Sequence, residues 1–356
     1  VMAPRTLTQY LLDLHDEGDD SPAHDYAHIL SAVAVAVKLT AAMVSRGQLS
    51  LGAVAHEGQA DHAQLHRGLR RLATRILLEQ AAGIEQLAAV SVAGDPSINL
   101  ISRSPRARYL LVFEALHGSV NLCENQTAGL AFSILERPTV DAPCTEADFL
   151  QPGSRQVCAG LGLYGPSTLL VLTTGRGVDG FTLDRDVGNF VLTDRGMTIP
   201  SRSDSFAINP SEAMHWPVHT KRYVDECLRG AEGPRGRDFK MRWNASAVIG
   251  AFRVLVHGGM FMAPDTGRRG ALWGVPLMHN AAPLALLAEQ AGGAASTGAQ
   301  RVLDVVPTSL TQRLPIYFGA ADEVARVERY YQEHEQGLDE GSSYPLFHSR
   351  TLFIEP

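Results

Sequence analysis

The chain has 356 residues, is 45% hydrophobic and only 19% charged, and carries a net charge of -7. That is enough apolar material for a large core in one big domain or two. The acidic balance excludes a nucleic-acid binder, whose affinity rests on basic patches. Four cysteines, Cys123, Cys144, Cys158 and Cys227, form no CxxC pair and no zinc spacing, so reduced thiols of a cytoplasmic protein are expected.

The amino terminus, VMAPRTLTQYLL, lacks the long apolar core of a signal peptide. Helical spacing of apolar residues predicts helices over 27–44 and 63–80. The first is the most apolar stretch, yet it holds Lys38 and is interrupted by Ser and Thr, so no membrane span is expected. On the second, Arg67, Arg70, Arg71 and Arg75 recur at roughly helical spacing and read as a solvated or interface face. Strands follow over 87–92, 109–113, 127–135, 167–174, 180–183 and 189–193. The short turns GRGVDG and DRDVG imply antiparallel pairing of the last three. Polar residues 193–205 mark a boundary, dividing the chain into 1–195, 196–335 and a tail over 336–356. Beyond it come a strand at 206–209 and helices over 220–229, 245–257 and 282–291, the last stopped by Gly292-Gly293. A buried strand at 314–319 and a helix over 321–331 close the pattern, which is α+β and layered. His24, His28, His56 and His62 belong to no motif and read as surface residues. Trp243 and Trp273 suit either core packing or the lining of an apolar pocket.

One stretch carries unusual chemistry. In LLVFEALHGSVNL a run of four apolar residues breaks at Glu114, and a Gly118-Ser119 turn follows. A buried strand running into such a turn exposes polar groups at a sheet's edge. Here those groups are Glu114 and His117.

The motifs DFLQPGSRQVCAGLGLYGPSTLLVLTTGRGVDGFTLDRDVGNFVL, FAINPSE, PRGRDFKMRW, EQAGGAASTG and VLDVVPTSLTQR follow one another in order. With TLTQYLL near the start, they make nearly the whole chain resemble class I fructose-1,6-bisphosphatase, in particular its bacterial form. The resemblance implies a layered αβαβα sandwich, a tetramer, and Mg²⁺-assisted hydrolysis of the 1-phosphate of fructose 1,6-bisphosphate. It also implies a metal site that this chain has largely lost. The family's FDPLDGSSN reads FEALHGSVN, which puts Glu114 and His117 where the family has two Asp residues. Its SEE pair aligns with Val92-Ala93-Gly94. The Asp of its LDVLSN becomes His66, and the Glu of LLYEANPMA becomes Asn280. Mg²⁺ wants hard oxygen donors, and imidazole suits softer metals. On the substrate side, the family's Lys is Gly274, the Tyr of GGIFLYP is Ala263, and Trp243 fills another aromatic position. Ser119, Asn209 and Arg242 keep their types, and Arg242 matches an Arg that reaches into a neighbouring subunit's phosphate site. Arg108 and Tyr109 stand where the family has residues of an AMP site. Asp95 is a conceivable displaced ligand, although a one-residue shift on a strand reverses its direction.

These substitutions imply a repurposed, less anionic pocket. The expected function is metal-independent acid–base chemistry: elimination, cyclisation, isomerisation or hydrolysis of a less charged small molecule. Glu114, His117 and His66 are the expected catalytic groups, because imidazole titrates near neutral pH. Ser119, Asn209, Arg242, Trp243, Ala263, Gly274, His279 and Asn280 are the expected substrate-binding positions, His279 having packing as its plainer role. No cofactor is expected. A two-His, one-carboxylate site for Zn²⁺ or Fe²⁺ ranks below the metal-free version. Two alternatives stand beside this reading: a fructose-1,6-bisphosphate 1-phosphatase with an altered metal site, and a non-catalytic subunit. The expected partners are a small-molecule substrate and further copies of the chain as a dimer or tetramer, with no nucleic acid and no membrane.

Overall fold

The structure, a computed structural model, describes residues 5–16, 23–47, 49–50, 62–267 and 274–338. Trp273, His56, the side chains of His24 and His62, and the tail beyond residue 338 lie outside the described residues. His28 is exposed, as expected.

Among the described residues the larger sheet has eight strands: β1 (Leu87–Val92), β2 (Ile98–Leu100), β3 (Tyr109–His117), β4 (Ala128–Glu136), β5 (Gln156–Tyr164), β6 (Thr168–Thr173), β7 (Asp179–Asp184) and β8 (Asn189–Asp194). Their order is β2-β1-β3-β4-β5-β6-β7-β8. All pairs are antiparallel except β1 with β3, which run parallel; β1 ends at Val92, opposite Phe113, and β3 runs on to His117. A second sheet takes β9 (Ser205–Ala207), β10 (Lys240–Met241), β11 (Met260–Ala263), β13 (Ala294–Ser296) and β15 (Ile316–Gly319) in the order β10-β9-β11-β15-β13. A small ladder pairs β12 (Val275–Pro276) with β14 (Arg313–Leu314).

Alternation along the strands separates three cores. Leu111 and Phe113 of β3 face helices α1 (Leu7–Asp16), α2 (Ala23–Ser45) and α3 (His62–Ala81). Leu110 and Val112 face a central layer built from α5 (Ala247–His257) and α6 (Ala282–Gln290), which also receives Phe261, Ile316 and Phe318 of the second sheet. Helices α4 (Val218–Leu228) and α7 (Ala321–Glu335) cover the outer side of that sheet through Tyr223, Val224, Val327 and Tyr330. The layers therefore run α/β/α/β/α, the α+β sandwich expected.

Three elements differ from the reading by periodicity. The central strand β5 is masked in sequence by glycines at 160 and 162. An added Cβ at Gly160 would lie 2.4 Å from the ring of Phe132, so close ring packing replaces a side chain there. Helix α2 contains a stretch, Tyr26–Ser45, long and apolar enough by length and composition to cross a membrane (mean hydropathy 1.8), although Lys38 interrupts it. Half of it is buried against the sheet, the arrangement of a core helix, and Lys38 at its surface donates to the Gly188 carbonyl at 3.0 Å. Finally, β3 does not break at Glu114 but continues to His117.

Candidate active site

The site lies at the carboxyl ends of β1 and β3, the parallel pair of the larger sheet. Glu114 and His117 are three residues apart, which on a regular strand points them to opposite faces. A bulge prevents this. Glu114 pairs with Ala131 and His117 with Gly129, so β3 fits one extra residue between them. Ala115 and Leu116 both enter the core beneath α1–α3, while Glu114 stays on the central side with Leu110 and Val112. Gly118 then turns the chain at φ 72°, and a Cβ there would press within 2.9 Å of Ser246. That close approach lets His117 Nδ1 meet the Oγ of Ser246, the amino-terminal cap of α5, at 2.9 Å.

Glu114 is 8% exposed and its carboxylate is fully engaged. Oε1 lies 3.2 Å from the Arg70 guanidinium, and Oε2 accepts from Asn280 Nδ2 at 2.5 Å. Arg70 also donates to the Ala93 carbonyl at 3.3 Å. Burial works against the Glu114 charge, but His117, Arg70 and Asn280 outweigh it and hold the carboxyl below its ordinary range. Burial pushes His117 down, assisted by Arg70 and Arg313 and opposed by Glu114. With imidazole neutral at neutral pH, the permanent charge of Arg70 is what sustains the carboxylate there.

A π-helical turn, Leu277–Ala281, carries the facing residues into the site. Such widened turns recur at functional sites because they rotate side chains out of helical register. Asn280 is fully buried; its amide nitrogen is used by Glu114, and its Oδ1 has no hydrogen-bond partner among the described residues. A buried acceptor without a donor is uncommon and suits a ligand hydroxyl or amine. His279 is 1% exposed, with Nε2 3.0 Å from Ser91 Oγ on β1. Burial, reinforced by Arg70 and opposed by Glu114, lowers it to about 4. It ties the π turn to the sheet as a neutral ring.

His66 does not join this group. It is half-buried on α3 and has no hydrogen bond or ion pair among the described residues. Arg70, four residues on along the same helix face, occupies the place expected of it. The basic run on α3 is thus not simply a solvated face: one of its members is the cation of the site, though Arg70 remains 44% exposed. The proximity of His66 and Arg70 on one face was visible in the sequence; that the longer side chain makes the contact was not. The expected set of His66, His117 and Glu114 is accordingly replaced by Arg70, Glu114, His117 and Asn280.

The other expected positions are spread out. Ser119 is buried just past the Gly118 turn, and Ala263 is half-buried on β11. Gly274 adopts φ 65°, and a Cβ there would meet the Leu314 carbonyl at 2.7 Å. Its own carbonyl instead accepts from Arg313 at 2.8 Å, and Arg313 is close enough to feel both Glu114 and Arg70. Asn209 accepts from the backbone and hydroxyl of Ser211, capping its own turn. Arg242 is exposed, and Trp243 stacks on Phe261 with centroids 6.0 Å apart. Asp95 accepts from Ser97 and serves its own turn, not a displaced ligand position. Tyr109 is buried edge-on to Tyr26, and Arg108 pairs with Glu136 at 2.8 Å.

This donor set does not fit a magnesium cluster. A guanidinium adjoins the sole carboxylate of the group, and among the described residues no three His, Cys, Asp or Glu side chains are placed to hold a metal. One ring nitrogen of His117 and one of His279 meet serines, Ser246 and Ser91.

Comparison with known proteins completes the description. Residues 5–195 match the family description "Fructose-1-6-bisphosphatase, N-terminal domain", and residues 199–332 match "Fructose-1-6-bisphosphatase, C-terminal domain". The chain is similar to Leishmania major fructose-1,6-bisphosphatase in its holo form, at 28% identity over 92% of this chain and 99% of that one, with a TM-score of 0.78. The T-state of the same enzyme matches at 27% identity over 93% and 99%, also with a TM-score of 0.78.

Proposed function

The chain belongs to the fructose-1,6-bisphosphatase family, and from that premise we propose that its former metal site is now a metal-independent site for an anionic small molecule. The observation that carries this reading is the Arg70 guanidinium beside Glu114, backed by Arg313. A guanidinium is always charged and grips phosphate or carboxylate through two parallel N–H donors. It supplies electrostatic attraction but cannot convert bound water into a strong nucleophile as a metal does. Phosphate-ester hydrolysis therefore loses its main driver, whereas proton-transfer chemistry does not.

His117 is the group suited to move a proton, being neutral, half-buried and beside Arg70. Glu114 has a different part from the acid–base role expected of it. With both oxygens engaged and its acidity increased, it positions Arg70 and Asn280. Asn280 Oδ1 is the acceptor left for a substrate donor. Elimination or isomerisation of a phosphorylated or carboxylated molecule suits this arrangement. Assembly of further copies of the chain belongs to the same proposal, since family members are oligomeric.

The test is phosphate release from fructose 1,6-bisphosphate with Mg²⁺ or Mn²⁺, where no turnover above the metal-free rate is expected. Calorimetry in EDTA should still show the same compound binding, about tenfold more weakly in Arg70→Gln. Metal-dependent turnover lost in His117→Ala would overturn the proposal. It would favour the second reading, a fructose-1,6-bisphosphate 1-phosphatase with an altered metal site. That reading draws on the similarity to the Leishmania major enzyme over nearly the whole chain, and it requires Arg70 to leave Glu114.

A further inference from the structure

A positively charged cavity lies in the other half of the chain, lined by Arg202, the loop after α4 and the first turns of α7. Its volume is about 460 Å³, within the range of small-molecule sites. Arg202, Arg237, Arg326 and Arg329 line its mouth and sides, and Arg235 with Glu323 forms its floor.

The floor is electrostatically closed. Arg235 and Glu323, 3% and 2% exposed, pair at 2.5 Å, and Arg237 adds a contact to the same carboxylate at 3.0 Å. The Tyr223 hydroxyl donates to Glu323 as well, at 2.8 Å. Glu323 thus has nothing left for the cavity. The walls are not closed. Arg202 has no ion pair or hydrogen bond among the described residues. Among the described residues Arg326 has one hydrogen bond, to the Tyr330 hydroxyl at 3.3 Å. Arg329 reaches Glu333 at 3.5 Å. Asp322 is the other carboxylate of the lining, so positive charge is in excess. Asp322 and Ala325 bring the amino-terminal turn of α7 to the wall, which adds to the attraction for an anion.

We propose that this cavity is a binding site for a small phosphorylated molecule carrying two or more negative charges, separate from the Arg70–Glu114 site. Arginines gathered around one cavity, with Arg202 unpaired among the described residues, are the chemistry that recognises phosphate oxygens. A carboxylate-only ligand fits the charge but leaves more of their N–H donors idle.

The test uses pyrophosphate as probe, titrated calorimetrically into the full chain in EDTA at low salt. Saturable binding is expected, weakened about tenfold in Arg202→Gln/Arg326→Gln and unchanged in Arg70→Gln. Neither substituted residue touches the Arg235–Glu323 floor, and a thermal melt checks folding. If the double variant does not fold, Arg202→Gln alone serves, and it should still weaken binding. No saturable binding to the unsubstituted chain, equal affinity in the arginine variants, or a loss confined to Arg70→Gln would each overturn the proposal.

Discussion

Two buried glutamates, one in each half of the chain, are both held by arginine, and they do different things. Glu323 meets Arg235, Arg237 and the Tyr223 hydroxyl, with Arg235 as buried as itself. Glu114 pairs with Arg70, which is 44% exposed, and accepts from an amide whose other end has no partner among the described residues. The first arrangement is closed and holds α7 to the loop after α4. The second is open on one side, as a site that must admit a ligand has to be. Burial of a carboxylate alone does not separate structure from function; the solvent access and unspent donors of its partners do.

The largest effect should come from breaking the closed pair. Glu323→Gln leaves Arg235 charged in a nearly dry environment, so chemical denaturation should show a loss of about 3 kcal/mol. A loss below about 1 kcal/mol would mean that the two clusters are energetically alike.

Next comes pH, through two buried histidines, one from each region. His279 is lowered to about 4 by burial together with Arg70, and His219, bonded to Tyr317 at 3.0 Å, is lowered to about 4 by burial and by His334. Both take up protons more readily in the unfolded chain, so their stabilisation is complete above about 6.5 and is lost as pH falls toward 4. Stability should drop by on the order of 2 kcal/mol per histidine across that window. His279→Gln and His219→Gln should each flatten the slope; a slope unchanged in both would refute the assignment.

Gly274→Ala sets a Cβ against the Leu314 carbonyl at a positive φ and should cost about 1–2 kcal/mol in a thermal melt, without touching the Glu323 cluster. The smallest effect is expected from Glu114→Gln. Arg70 is free to rehydrate, so the change in stability should stay within about 1 kcal/mol. Affinity for fructose 1,6-bisphosphate in EDTA should change instead, because Arg70 loses its anchor. A large destabilisation with unaltered binding would make Glu114 another Glu323.

Much of the scaffold was legible from periodicity. Strand β1 falls at the predicted residues, and α5, α6 and α7 start within two residues of expectation. The strand β5 was not, because its glycines make room for Phe132 instead of showing an alternating face. At the site, Glu114, His117 and Asn280 are legible in the sequence and do come together, whereas the spacing of Arg70 suggests a solvated or interface face and His66 a catalytic group. Both sit on the same face of α3, and one helical turn decides which of them meets Glu114. The arginine cavity had no motif to announce it, since its lining comes from Arg202, the loop at 234–237 and the start of α7, which lie far apart in the chain.

What the sequence determined by itself was local and additive: the family pattern, the helix and strand periods, and the glycine turns. What only the tertiary structure decided was direction. One extra residue in β3 turned His117 to the same face as Glu114, and a π turn rotated Asn280 toward them. Those two irregularities depend on how strands and helices close-pack in space, and side-chain spacing along the chain does not encode them.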